Sequence, residues 1–94
     1  MATATFDGTV IARSEETVMV ESNHYFPMSS VSIDVLEPTD RSTHCPWKGD
    51  ASYYDVVVEG KRAENAAWCY AEPKEGAGHI EGHIAFYPVV TVTA

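Results

Sequence analysis

Turn signals follow one another so closely in this chain that few segments are long enough to form a helix. Pairs such as Asp7-Gly8 and Glu59-Gly60, together with five prolines, divide the 94 residues into short pieces. The clearest piece, Ser52 to Glu59, is rich in the β-branched and aromatic residues that favour strands. About eight such pieces can be recognised, which is typical of an antiparallel sandwich or a partly open barrel. We therefore expect one all-β domain over residues 1–94, with at most one short helix.

The N-terminal half is expected to contain a hairpin and one segment whose pattern fits two structures. Val10–Ala12 and Thr17–Glu21 are apolar and flank a polar turn, which predicts that they pair as a hairpin. Between Ser29 and Leu36 the apolar positions fit a helix, whereas the valine and isoleucine content fits a strand equally well. Thr39–Ser42 is polar and is expected to be a loop.

The C-terminal half predicts three further strands. Trp68 and Tyr70 belong to one of them and point to the same side, because they are two residues apart. The glycine-rich segment Glu72–Gly78 predicts a surface loop. A proline separates the two closing strands, which we expect at His83–Tyr87 and Val89–Thr93.

The charge balance restricts the partners of the chain. Fourteen acidic and six basic residues give a net charge of −8, so nucleic acid and anionic membranes repel the protein. No apolar run reaches the length of about 20 residues that spans a bilayer, and Met1–Thr5 lacks the basic and apolar parts of a signal peptide. Two cysteines are too few for a disulfide framework. We expect a cytoplasmic protein, and its oligomeric state stays open.

Three aromatic clusters, at Thr43–Tyr54, Asn65–Tyr70 and Ala85–Pro88, are the candidates for a functional site. Their rings either line a cleft for a small cyclic or cationic ligand or fill the core of a small domain. Phe26 and Tyr54 are assigned to the core, and Phe86 fits a core position as well. The candidate ligand-binding residues are Trp47, Lys48, Tyr53, Trp68, Tyr70 and Phe86.

The corner between Pro46 and Gly49 is expected to form one wall of such a cleft, with Trp68 and Tyr70 opposite, because sequential antiparallel strands are usually neighbours. For Trp47 and Trp68 the cleft and the core interpretations are evenly balanced. Across the same corner, Lys48 and Asp50 are expected to form an ion pair.

Cys45 is the candidate for thiol chemistry, and no other catalytic residue is expected. Its neighbour His44 points to the opposite face of an extended strand, so it is badly placed to act as a base. Lys48 would make the Cys45 thiol more reactive if it folded back over the corner. An inert cysteine packed in the core is the competing interpretation, and Cys69 is expected to be structural.

No metal ion or cofactor is expected. His79 and His83 have the spacing of a helical metal pair, but Gly78 and Gly82 disfavour a helix there. The aspartates are scattered and do not supply the clustered carboxylates that a two-metal phosphoryl-transfer site needs.

An ordered set of residues extends along the chain from Gly8 to about Val92. Its members are Gly8, Ile11-Ala12, Val20-Glu21, Tyr25-Phe26-Pro27, Cys45–Gly49, Ala51–Tyr54, Ala67-Trp68, Tyr70, Glu72-Pro73 and Ala85–Tyr87. This set resembles the family filed as domain of unknown function 427, for which an old label is nucleotidyltransferase. Trp47 stands where the family usually has a tyrosine.

The resemblance implies a β-tent fold, in which two antiparallel sheets meet at an angle over a pocket. The β-tent group includes the thalidomide-binding domain of cereblon and the thiol-dependent methionine sulfoxide reductases. Many members hold a structural zinc with two Cys-x-x-Cys pairs, and this sequence has neither pair. The resemblance and the acidic charge favour a small-molecule binding module. A thiol-dependent enzyme using Cys45 and a protein-interaction domain are the alternatives.

Overall fold

A computed structural model describes all 94 residues, Met1 to Ala94, as nine strands and three short 3-10 helices. The strands are β1 (Ala2–Phe6), β2 (Thr9–Ser14), β3 (Val18–Val20), β4 (Asn23–Pro27), β5 (Leu36–Cys45), β6 (Gly49–Val58), β7 (Lys61–Cys69), β8 (His83–Phe86) and β9 (Thr91–Thr93). The 3-10 helices are Met28–Ser30, Ile33–Val35 and Glu75–Ile80. None of these helices has the length and apolar character that crossing a membrane requires.

The strands form two antiparallel sheets. One has three strands in the order β2-β1-β9, and the other has six in the order β3-β4-β8-β7-β6-β5. This arrangement confirms the all-β expectation and fits the two sheets of a β-tent.

Three two-residue turns fix the register of the hairpins. Asp7-Gly8, Glu21-Ser22 and Glu59-Gly60 each place both residues at positive φ, between 46° and 83°. Turns of this kind match the right-handed twist of the strands they join. They connect β1 to β2, β3 to β4 and β6 to β7.

The six-stranded sheet is covered by hydrophobic side chains on both faces. The inner cluster joins the two sheets and includes Phe6, Ile11, Phe26, Val56, Ile84, Phe86 and Val90. The outer cluster lies on the other face and consists of Val20, Tyr25, Ala51, Tyr53, Trp68, Tyr70, Ala77, Ile80 and Ala85. A single strand contributes side chains to both clusters, because successive side chains point to opposite faces of the sheet.

The predicted hairpin of Val10–Ala12 with Thr17–Glu21 is wrong. β2 pairs with β1 through the Asp7-Gly8 turn, and β3 pairs with β4. Strand β1 has no counterpart in the sequence analysis, because its alternating alanine and threonine residues carry a weak strand signal.

Three further assignments change in detail. Thr39–Ser42, expected to be a loop, is part of the edge strand β5; edge strands tolerate polar residues and Pro38 because one side of the backbone faces solvent. Ser29–Leu36 contains two short 3-10 segments rather than one helix or one strand, and the loop Glu72–Gly78 runs into a third.

Truncating the inner cluster should destabilise the fold strongly. Phe26 is fully buried and packs edge to face against Phe86, with ring centroids 5.8 Å apart. We expect Phe26→Ala to lower the free energy of unfolding by about 3–5 kcal/mol in urea denaturation. Met19→Ala, at an exposed position of β3, is the control and should change it by less than about 0.5 kcal/mol. Equal effects of the two variants would contradict this packing.

Candidate functional site

The register of the six-stranded sheet decides which candidate residues share a face. Tyr53 of β6 lies directly opposite Trp68 of β7, so both rings point outward. Phe86 of β8 lies opposite Ala67, the residue before Trp68, so its ring points to the other face of the sheet and packs in the inner cluster. Phe86 therefore does not share a face with the other candidates, and its assignment to the core is confirmed.

The aromatic rings of the outer cluster are packed against each other. Tyr25, Tyr53, Trp68 and Tyr70 are all buried. The indole Nε1–H of Trp68 donates a hydrogen bond to the hydroxyl of Tyr25 at 3.1 Å, and the two rings meet edge to face. A buried indole needs such a partner. Trp68 is thus a fully engaged core residue of this cluster.

The open cavities of the molecule lie elsewhere. Four surface cavities have volumes of about 260, 470, 300 and 320 Å³. Tyr70 lines the cavity of about 300 Å³ and Phe86 that of about 470 Å³. None is lined by Trp47, Lys48, Tyr53 or Trp68. Ligand binding by these residues stays a prediction.

The corner between β5 and β6 is held against the loop that follows β7. Gly49 has φ +112°, and a Cβ there would lie 3.3 Å from the backbone oxygen of Glu72. The backbone N–H of Lys74 donates to the backbone oxygen of Lys48 at 2.9 Å. The side-chain ammonium of Lys74 donates to the backbone oxygen of Pro46 at 2.8 Å. Only glycine combines this φ with such a close approach. Trp47 is left 43% exposed at the tip.

Lys48 is a buried cation inside an aromatic surrounding. Its ammonium pairs with the carboxylate of Glu21 and lies 5.4 Å from the ring centroids of both Trp47 and Tyr70. Burial lowers the pKa of Lys48, but the hydrogen bond to Glu21 and the nearby Tyr25 and Tyr70 outweigh burial and leave the pKa raised above 10.5. The ion pair links the β3–β4 turn to the β5–β6 corner.

The expected ion pair between Lys48 and Asp50 is wrong. The carboxylate of Asp50 instead contacts His44, with Oδ1 and Nδ1 2.8 Å apart. The reason is the backbone at Gly49, whose φ of +112° interrupts the strand alternation, so that Lys48 is buried whereas Asp50, two residues later, is exposed.

Two residues that the sequence analysis did not select complete the other end of the outer cluster. Tyr87 is 40% exposed, and its ring centroid is 4.6 Å from that of Trp68 and 6.5 Å from that of Tyr53, to which it is nearly parallel at 13°. The guanidinium carbon of Arg41 lies 4.9 Å from the centroid of Tyr53. Tyr87 belongs to the third aromatic cluster of the sequence, which was a usable signal. Arg41 carried none, because its segment was expected to be a loop.

The hydroxyls at this end influence one another. Burial raises the pKa of Tyr53, but polar contacts from Thr43, Tyr87 and Arg41 outweigh burial and leave the pKa below 10.0. The hydroxyls of Thr43 and Tyr53 are 2.9 Å apart. The contact with Tyr53 raises the pKa of Tyr87 above 10.0.

The two cysteines occupy different faces of the larger sheet. Cys45 packs, half-buried, against the outer cluster, while His44 contacts Asp50 and Lys48 contacts Glu21. Cys69 is buried in the inner cluster, and burial raises the pKa of its thiol. Both thiols are free.

The residues that bind metals in other proteins do not converge in this structure. No group of three or more histidine, cysteine, aspartate or glutamate side chains is close enough to hold a metal ion. Nδ1 of His83 contacts the backbone oxygen of Glu81 at 2.8 Å.

Fold and site together define a small two-sheet protein whose larger sheet carries an aromatic outer face. The family model described as Domain of unknown function (DUF427) matches residues 1–93, and the chain belongs to this family. A search of curated proteins finds no match.

The two tryptophans should differ sharply in their effect on stability. We expect Trp68→Ala to lower the free energy of unfolding by about 3–5 kcal/mol, because the ring is buried and its N–H is bonded. Trp47→Ala serves as the matched control and should cost less than about 1 kcal/mol, because nearly half of the side chain is exposed. Urea denaturation measures both. A Trp68→Ala variant as stable as the wild type would show that Trp68 is not a core residue.

The Lys48–Glu21 pair should have a distinct pH dependence. Glu21→Gln leaves the buried ammonium without its carboxylate and should cost about 1 kcal/mol near neutral pH, a low value because Glu21 is half exposed. Since the folded-state pKa of Lys48 is raised, the contribution of the pair is complete below pH 10.5 and is lost above it. Urea denaturation from pH 7 to 11.5 should therefore show wild type and variant converging only in the alkaline range. A constant difference across that range would contradict the role of Lys48.

Proposed function

We propose that this protein is a small-molecule binding module and that its ligand is a flat ring stacked on Tyr87. The observation that carries the proposal is the position of the Tyr87 ring, exposed on one side and supported on the other by Trp68 and Tyr53. Buried rings beneath an exposed ring hold it in place, so little side-chain entropy is lost when a ligand stacks on it.

The backbone around Tyr87 supports the same proposal. Its N–H donates to the oxygen of Ala66 at 2.8 Å, and its oxygen accepts from the N–H of Val90 at 2.9 Å. Both backbone groups are therefore engaged, and the ring projects from a fixed turn. Binding residues often lie on such turns at the edge of a rigid sheet.

The corner at Trp47 is the weaker choice for the ligand. Lys48 already occupies the cation position between Trp47 and Tyr70 and is paired with Glu21. A cationic ligand would have to displace an internal cation there. In the proposed site Tyr87 contacts the ligand directly. The buried rings of Tyr53, Trp68 and Tyr70 support the site from beneath the surface.

The two alternative functions have less support. Thiol catalysis at Cys45 lacks a base or a cation in contact with the sulfur, since both neighbouring candidates are bound to carboxylates. A protein-interaction role would use large exposed side chains, but these are divided among strands, a 3-10 helix and turns, at Val10, Met19, Ile33, Trp47 and Tyr87 among others.

We also propose a cytoplasmic location. Cys45 and Cys69 both carry free thiols, which is usual for proteins of a reducing compartment.

Binding of flat rings can be measured in a Trp47→Phe background, in which Trp68 is the single tryptophan and reports on the Tyr87 end. We expect uridine, succinimide or benzamide at millimolar concentration to change this fluorescence. Tyr87→Ala should weaken the binding about fivefold or more through loss of the stacking contact. Val89→Ala, at an exposed position two residues further along the same turn, is the matched control and should bind like its parent.

Two results would overturn the proposal. One is that none of the flat probes binds. The other is that Tyr87→Ala and Val89→Ala bind equally well while both remain folded by circular dichroism. If the wild type runs as a dimer on gel filtration and Tyr87→Ala runs as a monomer, the exposed ring serves protein interaction instead.

A further inference from the structure

The cation that lies over the ring of Tyr53 has no carboxylate partner. In this chain of net charge −8, Lys48 pairs with Glu21, and Arg62 pairs with both Asp55 and Glu37. Arg41 forms no ion pair, although Asp40 is next to it in the chain. It is exposed and lies over the ring of Tyr53. An unpaired guanidinium beside an aromatic platform offers a planar donor to an anion.

A bulge in β5 brings Arg41 to this position. The register of β5 with β6 shifts between Pro38 and Ser42, so that the three residues Thr39–Arg41 stand opposite Tyr53 alone. Bulges commonly redirect a side chain next to a functional site.

A second bulge, in β7, is hydrogen-bonded to the bulge in β5. The register of β6 with β7 shifts opposite Asp55, two residues along β6 from Tyr53, and Asn65 has φ +50° there. The hydroxyl of Thr39 donates to Oδ1 of Asn65 at 2.7 Å and accepts from the N–H of Arg41 at 3.2 Å. The N–H of Asn65 donates to Asp55 at 2.8 Å. Bonds across three strands therefore hold the backbone of Arg41 in place.

The ring that the guanidinium covers carries a hydroxyl group with a hydroxyl neighbour. Thr43 and Tyr53 share a hydrogen bond at 2.9 Å, and the ring of Tyr87 lies parallel to that of Tyr53. Guanidinium and hydroxyl groups together are the usual recognition set for a carboxylate.

The same geometry disfavours a cationic ligand. Arg41 occupies the cation position at Tyr53, and Lys48 occupies the one shared by Trp47 and Tyr70. A third cation would be placed beside one of these two charges and would be repelled.

We propose that the ligand of this surface is a flat ring bearing a carboxylate, with the ring stacked on Tyr87 and the carboxylate bound by Arg41. This inference rests on the proposed function and names the class of its ligand. It assigns Arg41 as the residue that selects among flat rings according to their charge.

Three probes with one ring and different charges test it: benzoate, benzamide and benzylammonium. Binding is followed by the fluorescence of Trp68 in the Trp47→Phe background and by NMR titration of the Nε–H of Arg41. We expect benzoate to bind about tenfold more tightly than benzamide, because a charge-assisted hydrogen bond is added. Benzylammonium should bind most weakly, and benzoate should shift the Arg41 resonance in the wild-type protein.

Arg41→Gln should remove the preference for benzoate, so that benzoate and benzamide bind this variant with similar affinity. Arg13→Gln is the matched control, because Arg13 is another exposed arginine without an ion pair and the change in net charge is identical. It should keep the tenfold preference. The NMR titration of the wild type gives the answer independently if Arg41→Gln fails to fold.

The outcomes separate the two proposals. If benzamide binds through Tyr87 but benzoate binds no more tightly, or if Arg13→Gln loses the preference as Arg41→Gln does, the carboxylate inference is overturned and the flat-ring function stands. If benzoate leaves the Arg41 resonance unshifted, the inference is overturned as well. If none of the three probes binds, both proposals are overturned.

Discussion

The structure depends on a single constraint: its larger sheet is apolar on both faces and needs two covers. The three-stranded sheet covers the inner face and completes the inner cluster. No sheet remains for the outer face, which is covered by the segment Glu75–Ile80 and by its own large rings. Aromatic side chains bury the most surface per residue, so Tyr25, Tyr53, Trp68 and Tyr70 can cover one another in a chain of this size. The aromatic face follows from this shortage of covering structure.

Polar groups set the two ends of the aromatic face. At one end, the buried Lys48 connects two turns through Glu21 and fills the space between two rings. At the other end, the bulges of β5 and β7 place Arg41, free of a carboxylate, above Tyr53. A paired cation stabilises the fold, whereas an unpaired one remains available to a ligand. Both ends combine a cation with aromatic rings, but because of this difference we assign a stabilising role to the end with Lys48 and a ligand-binding role to the end with Arg41.

Much of this arrangement can be predicted from the sequence, but not its longest-range parts. Alternation placed Trp68 and Tyr70 on one side, and the Glu59-Gly60 turn was recognised because local residues determine both features. The pairing of β1 with β2 was not predicted, because the alanine and threonine residues of β1 give a weak strand signal. Arg41 was not selected because its polar segment was expected to be a loop, and no local pattern reports the two residues that the bulge adds to β5. The separation of Phe86 from the other rings depends on pairing across β7 and β8, which only the folded sheet shows.

The cover over the outer face has a consequence for motion. Its segment is attached at Lys74, bonded to the corner, and at Gly82, whose oxygen accepts from the N–H of Met28 at 2.9 Å. Between these tethers only Ala77 and Ile80 reach into the cluster. Segments with so few buried contacts open locally at a lower free energy than the whole domain requires. Local opening of this segment should therefore expose the outer rings to water without unfolding of the whole domain.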